Sequence, residues 1–112
     1  MRPWLVLLLF VLAIGAETPA IGHVPTLEEC FEGGDFIAHA AQARDHGMMK
    51  AEFVDRLLAD IQVIQAFPPQ LRWFVADPED AEFLLLEASR VFDAPLRPEG
   101  HRAEFLSRCF ER

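Results

Sequence analysis

A chain of 112 residues has room for a single domain, and its 18 acidic side chains outnumber 10 basic ones to give a formal charge of −8. That balance argues against nucleic acid and against anionic membrane surfaces as partners and is compatible with a basic protein partner, although acidity also serves simply to keep a small secreted protein in solution.

The first residues do not read as part of the domain. Met1-Arg2 is a short positive start, Trp4 to Ile14 (WLVLLLFVLAI) is an unbroken apolar run, and small residues follow at Gly15 and Ala16. This is the pattern of a signal peptide over 1–16, and the run is shorter than the roughly 20 residues of a membrane-spanning helix. The alternative is an uncleaved anchor. Cleavage after Ala16, Ala20 or Gly22 is compatible with the pattern, Ala16 fitting it best. The expectation is a periplasmic or secreted protein with no membrane association once the signal is removed. From Glu17 onward nine basic residues face all 18 acidic ones, a formal charge of −9.

Export gives the two cysteines, Cys30 and Cys109, a meaning. In an oxidising compartment they read as one structural disulfide, and without C-x-x-C spacing nothing lowers a thiol pKa for redox work. Closing a loop of about 80 residues contributes roughly 4 to 5 kcal/mol in the chain-entropy model.

Residues 17–25 carry two prolines and a glycine without periodicity and read as a flexible leader; the helical domain is expected over 26–112. Thr26-Leu27-Glu28-Glu29 is a capping box that starts the first helix. Gly33-Gly34 weakens that helix by about 1 kcal/mol per glycine. It either runs through, placing Cys30 on one face with Phe36, Ile37, Ala40 and Ala41, or breaks into a short turn and a main helix capped by Asp35. Gly47 is its stop. The second helix, about Met49 to Phe67, has a broad apolar arc of Phe53, Val54, Leu57, Leu58, Ile61 and Ile64, ended by Pro68-Pro69. A short third helix is expected over Gln70 to Val75, presenting Trp73 and Phe74. Asp77-Pro78-Glu79-Asp80 starts a fourth, with an N-cap, a proline in the first turn and acids on the positive end of the dipole. It runs to about Phe92 and is expected to bury Ala81, Leu84, Leu85, Ala88, Val91 and Phe92. After the loop 93–98, the last helix, about Glu99 to Glu111, is expected to bury Ala103, Leu106, Cys109 and Phe110. No stretch alternates with period two and no hairpin dipeptide occurs. The predicted fold is all-α, a small four- or five-helix orthogonal array or bundle closed end to end by Cys30–Cys109.

With its Cys30 start, the segments FIAHAAQARDHG and FPPQLRWFV, and the terminal Cys109, the chain resembles small exported proteobacterial all-helical proteins with cysteines at both ends of the mature chain. That resemblance implies no activity. The general plan of signal peptide, small helical domain and disulfide is similar to that of periplasmic acid-stress chaperones and of helical immunity proteins that neutralise wall-degrading toxins. No residue-level motif is shared with either group.

Three constellations are candidates for function. Asp35, His39, Gln42 and His46 share one face of the first helix, and two imidazoles with a carboxylate, followed by Met48-Met49, are donors for zinc or copper. Against a metal site, His39 and His46 are two turns apart, about 10 Å along the axis, and any amphipathic helix needs a polar stripe. Asp60 projects into the apolar arc of the second helix, either paired with Arg56 one turn earlier or partly desolvated, and is therefore the candidate pH-sensitive group. Phe83 and Leu86 project almost opposite the buried face of their helix, beside Glu82, Glu87 and Arg90. With Trp73 and Phe74 they form a candidate interface, unless the helix is sandwiched and both faces are core.

Catalytic motifs are lacking: there is no glycine elbow around Ser89 or Ser107, no H-E-x-x-H and no phosphate-cradling loop. His23, in the leader, and His101, on the polar side of the last helix, have no evident partner. The chain is read as no enzyme and needing no cofactor. The function it points to is binding of a protein partner as an inhibitor, immunity-type protein or adaptor. An acid-stress periplasmic chaperone is the alternative, with metal sequestration through His39 and His46 third.

Overall fold

A computed structural model describes residues 24–112. Within them the chain forms four helices and no strands: α1 (Leu27–Asp45), α2 (Lys50–Gln65), α3 (Pro78–Asp93) and α4 (Pro98–Phe110), with a single 3-10 turn at Pro69–Leu71. The expected signal peptide and most of the expected leader lie outside the described residues. No described helix is long and apolar enough to cross a membrane.

The first helix begins where local chemistry places it. The Thr26 hydroxyl accepts from Glu29 N at 3.1 Å, and Thr26 N donates to the Glu29 carboxylate at 3.0 Å, so two otherwise unsatisfied amides are capped reciprocally. The helix runs unbroken through Gly33-Gly34 and ends at His46, with Gly47 at φ +100°, a conformation that glycine adopts without strain. The glycines are where α4 crosses. A Cβ on Gly33 would lie 2.6 Å from Phe105 Cζ, and one on Gly34 would lie 3.3 Å from Leu106 Cδ2. The loss in helix propensity is thus offset by close approach, and α1 packs more extensively on α4 than on any other helix.

That packing turns α4 about its axis relative to the expected face. Its buried residues are His101, Phe105 and Cys109, with Leu106 half-buried, whereas Ala103 and Phe110 are exposed. The rotation is roughly one residue step, about 100°. Two tertiary anchors impose it: the Gly33 notch takes the Phe105 ring, and Cys109 is bonded to Cys30 in the first turn of α1, both cysteines being buried. The disulfide closes the chain, as expected.

Helix α2 buries only Leu57 and Ile61; Phe53, Val54 and Ile64 are half-buried and Leu58 is exposed. After Pro68-Pro69 a single 3-10 turn stands where a short helix over Gln70–Val75 was expected. Arg72 holds the following reversal, its Nε donating to Phe67 O at 2.8 Å and its Nη1 to Ala76 O at 3.1 Å. Trp73 sits at φ +54°, a region bulky residues seldom occupy. The reversal sends Phe74 and Val75 into the core, where both are fully buried. Helix α3 starts with a second reciprocal cap between Asp77 and Asp80 and has Pro78 in its first turn. Its inner face buries Ala81, Leu84, Ala88 and Val91, while Leu85 and Phe92 are half-buried at the edges.

Candidate functional site: the outer face of α3

The two faces of α3 are not equally apolar. Opposite the buried stripe stand Glu79, Glu82 and Leu86, all exposed, and Leu86 is the most exposed large apolar side chain of the helix at 55%. Phe83 was expected to project with Leu86. It is instead half-buried and packed on the core, 5.9 Å from the Phe74 ring in a stacked arrangement and 5.7 Å from Phe105. Phe74 and Phe105 are themselves 6.0 Å apart, so the three rings form one aromatic unit. Arg112 covers the outer side of Phe83, its guanidinium carbon 4.6 Å from the ring centroid, and is ion-paired to Asp80 at 3.0 Å. The result is an open groove of about 310 Å³ lined by Glu79, Glu82, Phe83, Leu86 and Arg112.

The four candidate interface residues therefore have different roles. Leu86 is surface, and Phe83 is the flank of the core that reaches the surface beside it. Phe74 is fully buried and can contact no partner. Trp73 is half-buried on the far side of Phe74, its indole N–H donating to Glu32 at 2.9 Å and its ring edge-on to Phe36 at 6.2 Å. It ties the reversal to α1.

Glu87, expected among the outward polar residues, is 3% exposed. Arg108 Nε donates to both of its oxygens, at 2.9 and 2.8 Å, and Arg90 lies 3.4 Å away. A buried carboxylate needs such partners. The side-chain bond to Glu87 is also the main cause of the raised pKa of Arg108, which holds the guanidinium charged.

His101, expected on the polar side of its helix without a partner, is buried, its Nε2 lying 3.2 Å from Arg44 Nη1 and 3.1 Å from Ala94 O. Arg44 is the centre of this corner. Its Nη1 donates to Val91 O at 2.8 Å and Ala94 O at 2.9 Å, and its Nη2 to Leu96 O at 2.7 Å and Asp45 at 2.8 Å. These are the orphan carbonyls at the end of α3 and in the loop after it, and a cation there also complements the helix dipole. A groove of about 370 Å³ opens beside this corner, lined by Arg44, Asp45 and residues 92–95, but the guanidinium's donors are already spent on protein acceptors.

The other sequence candidates are not assembled into sites. Asp60 is exposed, and Arg56 pairs with Glu52 at 3.5 Å rather than with it. It stands on the rim of a groove of about 150 Å³ floored by Phe36, Met48, Phe53 and Leu57. The arc of α2 is narrower than its composition suggests because few elements pack on it, and Asp60 lies just beyond its edge. Asp35 is engaged by Arg102 at 3.0 Å; His39 is exposed; His46 Nδ1 lies 2.7 Å from Gln42 O. Among the described residues no three His, Cys, Asp or Glu side chains are placed to hold a metal ion.

Glu87, Arg44 and His101 were not singled out by pattern, and Asp80 was read only as part of a helix start. Glu87 falls in phase with Leu84, Ala88 and Val91, which is the one local signal of its burial; its partner Arg108 is 21 residues away. No protein-family model, curated protein or solved structure matches the chain.

Proposed function

We propose that this is an exported protein that acts by binding another protein through the outer face of α3, as a dedicated inhibitor or adaptor. The observation that carries the reading is Leu86, 55% exposed beside the half-buried Phe83, so that the aromatic core reaches an open groove next to an exposed apolar side chain. The frame behind it supports such a role. The disulfide, the Arg44 corner, the Glu87–Arg108 pair and the Asp80–Arg112 pair tie α3 and α4 into place, and a preorganised surface loses less entropy on binding.

The test is affinity capture of partners from the periplasmic extract by the disulfide-intact chain and by Leu86→Glu. A single dominant partner is expected at neutral pH with the native chain and not with Leu86→Glu, whose melting temperature should be unchanged because the side chain is exposed. Retention of that partner by Leu86→Glu would refute the α3 reading. Many partners, appearing only after acid exposure, would replace it with the chaperone reading.

A further inference from the structure

We infer that the partner's docking segment is cationic and amphipathic: a helix or strand that presents an apolar side chain to Phe83 and Leu86 with lysine or arginine on either side. The inference rests on the α3 reading and specifies its chemistry. Along the outer face of α3, Glu79, Glu82 and Leu86 are spaced i, i+3 and i+7, so both carboxylates lie within about two turns, roughly 10 Å, of the apolar contact. Some exposed carboxylates elsewhere on this surface carry a cation of their own. Asp35 is paired with Arg102, Asp93 with Lys50, Glu52 with Arg56 and Glu104 with Arg108. Among the described residues, Glu79 and Glu82 have no such partner.

The one cation lining the groove does not change its sign. Arg112 is matched by the fully buried Asp80 at 3.0 Å, which leaves the two exposed carboxylates as the excess charge of the site. An anionic segment would be repelled at the rim. A purely apolar one would cover the two carboxylates without replacing their solvation. A segment with cations flanking an apolar anchor satisfies rim and floor together, and the −9 charge of residues 17–112 would steer it toward the protein.

The experiment uses the disulfide-intact chain, isotopically labelled, and three synthetic amphipathic peptides of about 15 residues with the same leucine face: one with lysine on the polar face, one with glutamine and one with glutamate. A peptide of that length is marginally helical and can fold on the surface it meets. The lysine peptide is expected to shift the amide signals of residues 79–90 selectively and to bind at least about tenfold more tightly than the glutamine peptide. Raising salt from about 50 to about 500 mM should remove most of that difference. The double variant Glu79→Gln/Glu82→Gln, which alters only exposed side chains, should abolish the preference for lysine while keeping the shifts. Equal binding of lysine and glutamine peptides at α3 would overturn the cationic assignment and leave the α3 reading standing. Shifts scattered over the acidic surface, or no shifts on α3, would also overturn it. Whether the α3 reading falls too is decided separately, by capture with Leu86→Glu.

Discussion

By helix propensity alone, Gly33→Ala would stabilise α1 by about 1 kcal/mol. Packing reverses the sign. The added methyl would sit 2.6 Å from the ring of Phe105, and that ring is held between Phe74 and Phe83 and cannot swing aside. Overpacking of this kind costs about 1 to 3 kcal/mol, so after the propensity gain of about 1 kcal/mol a net loss of up to about 2 kcal/mol is expected in urea denaturation. A more stable variant would show that α1 and α4 do not approach as described. A second residue-scale prediction concerns Glu87. Glu87→Gln keeps the shape but weakens the paired, charge-assisted bonds from Arg108, and Arg108 can turn partly to water because its side chain is 34% exposed. The expected loss is about 1 to 3 kcal/mol. The pH dependence follows from the raised pKa of Arg108. A basic group whose folded pKa is raised stabilises fully below its unfolded value and loses that contribution only as pH climbs through the folded one. The stability difference between the native chain and Arg108→Gln should therefore be equal at about pH 7 and about pH 9, measured by denaturant titration at each pH.

At the scale of elements, starts and stops were legible because each is written within a few residues. Thr26 with Glu29, Asp77 with Pro78 and Asp80, and Gly47 all act where the pattern placed them. The orientation of α4 was not legible. Its burial of His101 depends on Arg44 and its burial of Phe105 on Gly33, residues 57 and 72 positions away in a chain read locally. Asp60 shows the same dependence in reverse: by spacing it projects into the apolar arc of α2, but what buries an arc is the neighbour packed on it, and Asp60 is exposed. Arg44 gives the element-scale prediction. Arg44→Ala removes the guanidinium donors from the carbonyls of Val91, Ala94 and Leu96, which should cost about 2 to 3 kcal/mol. It should also speed hydrogen exchange in the last turn of α3 and the first turn of α4 more than in α2. Arg44→Lys should recover only a fraction, since one ammonium cannot span three separated acceptors as a guanidinium does. Uniform acceleration across all four helices would mean that Arg44 supports the fold in general and not this corner.

For the whole molecule, the disulfide was legible from the two cysteines and the compartment expected for the chain, whereas the α3 surface was only half so. Phe83 and Leu86 looked equivalent on a helical projection, and only the Phe74 and Phe105 rings, supplied by other segments, draw Phe83 inward. The same long-range ties decide what reduction should do. Cys30 and Cys109 are 79 residues apart, and releasing a loop of that length costs about 4 to 5 kcal/mol in the chain-entropy model, a large share of the roughly 5 to 15 kcal/mol typical of a domain. Yet α4 has other moorings, among them Phe105 in the Gly33 notch, Arg108 on Glu87 and His101 beside Arg44. The reduced chain is therefore expected to stay folded and helical at about 25 °C without denaturant, with a urea midpoint well below that of the oxidised form. Circular dichroism across a urea series, with and without reductant, measures this. If the reduced chain is already unfolded in the absence of urea, these moorings contribute less than their geometry implies. If its midpoint hardly moves, the loop-closure account of this disulfide is wrong, and the rigidity on which the α3 surface relies comes from the packed core alone.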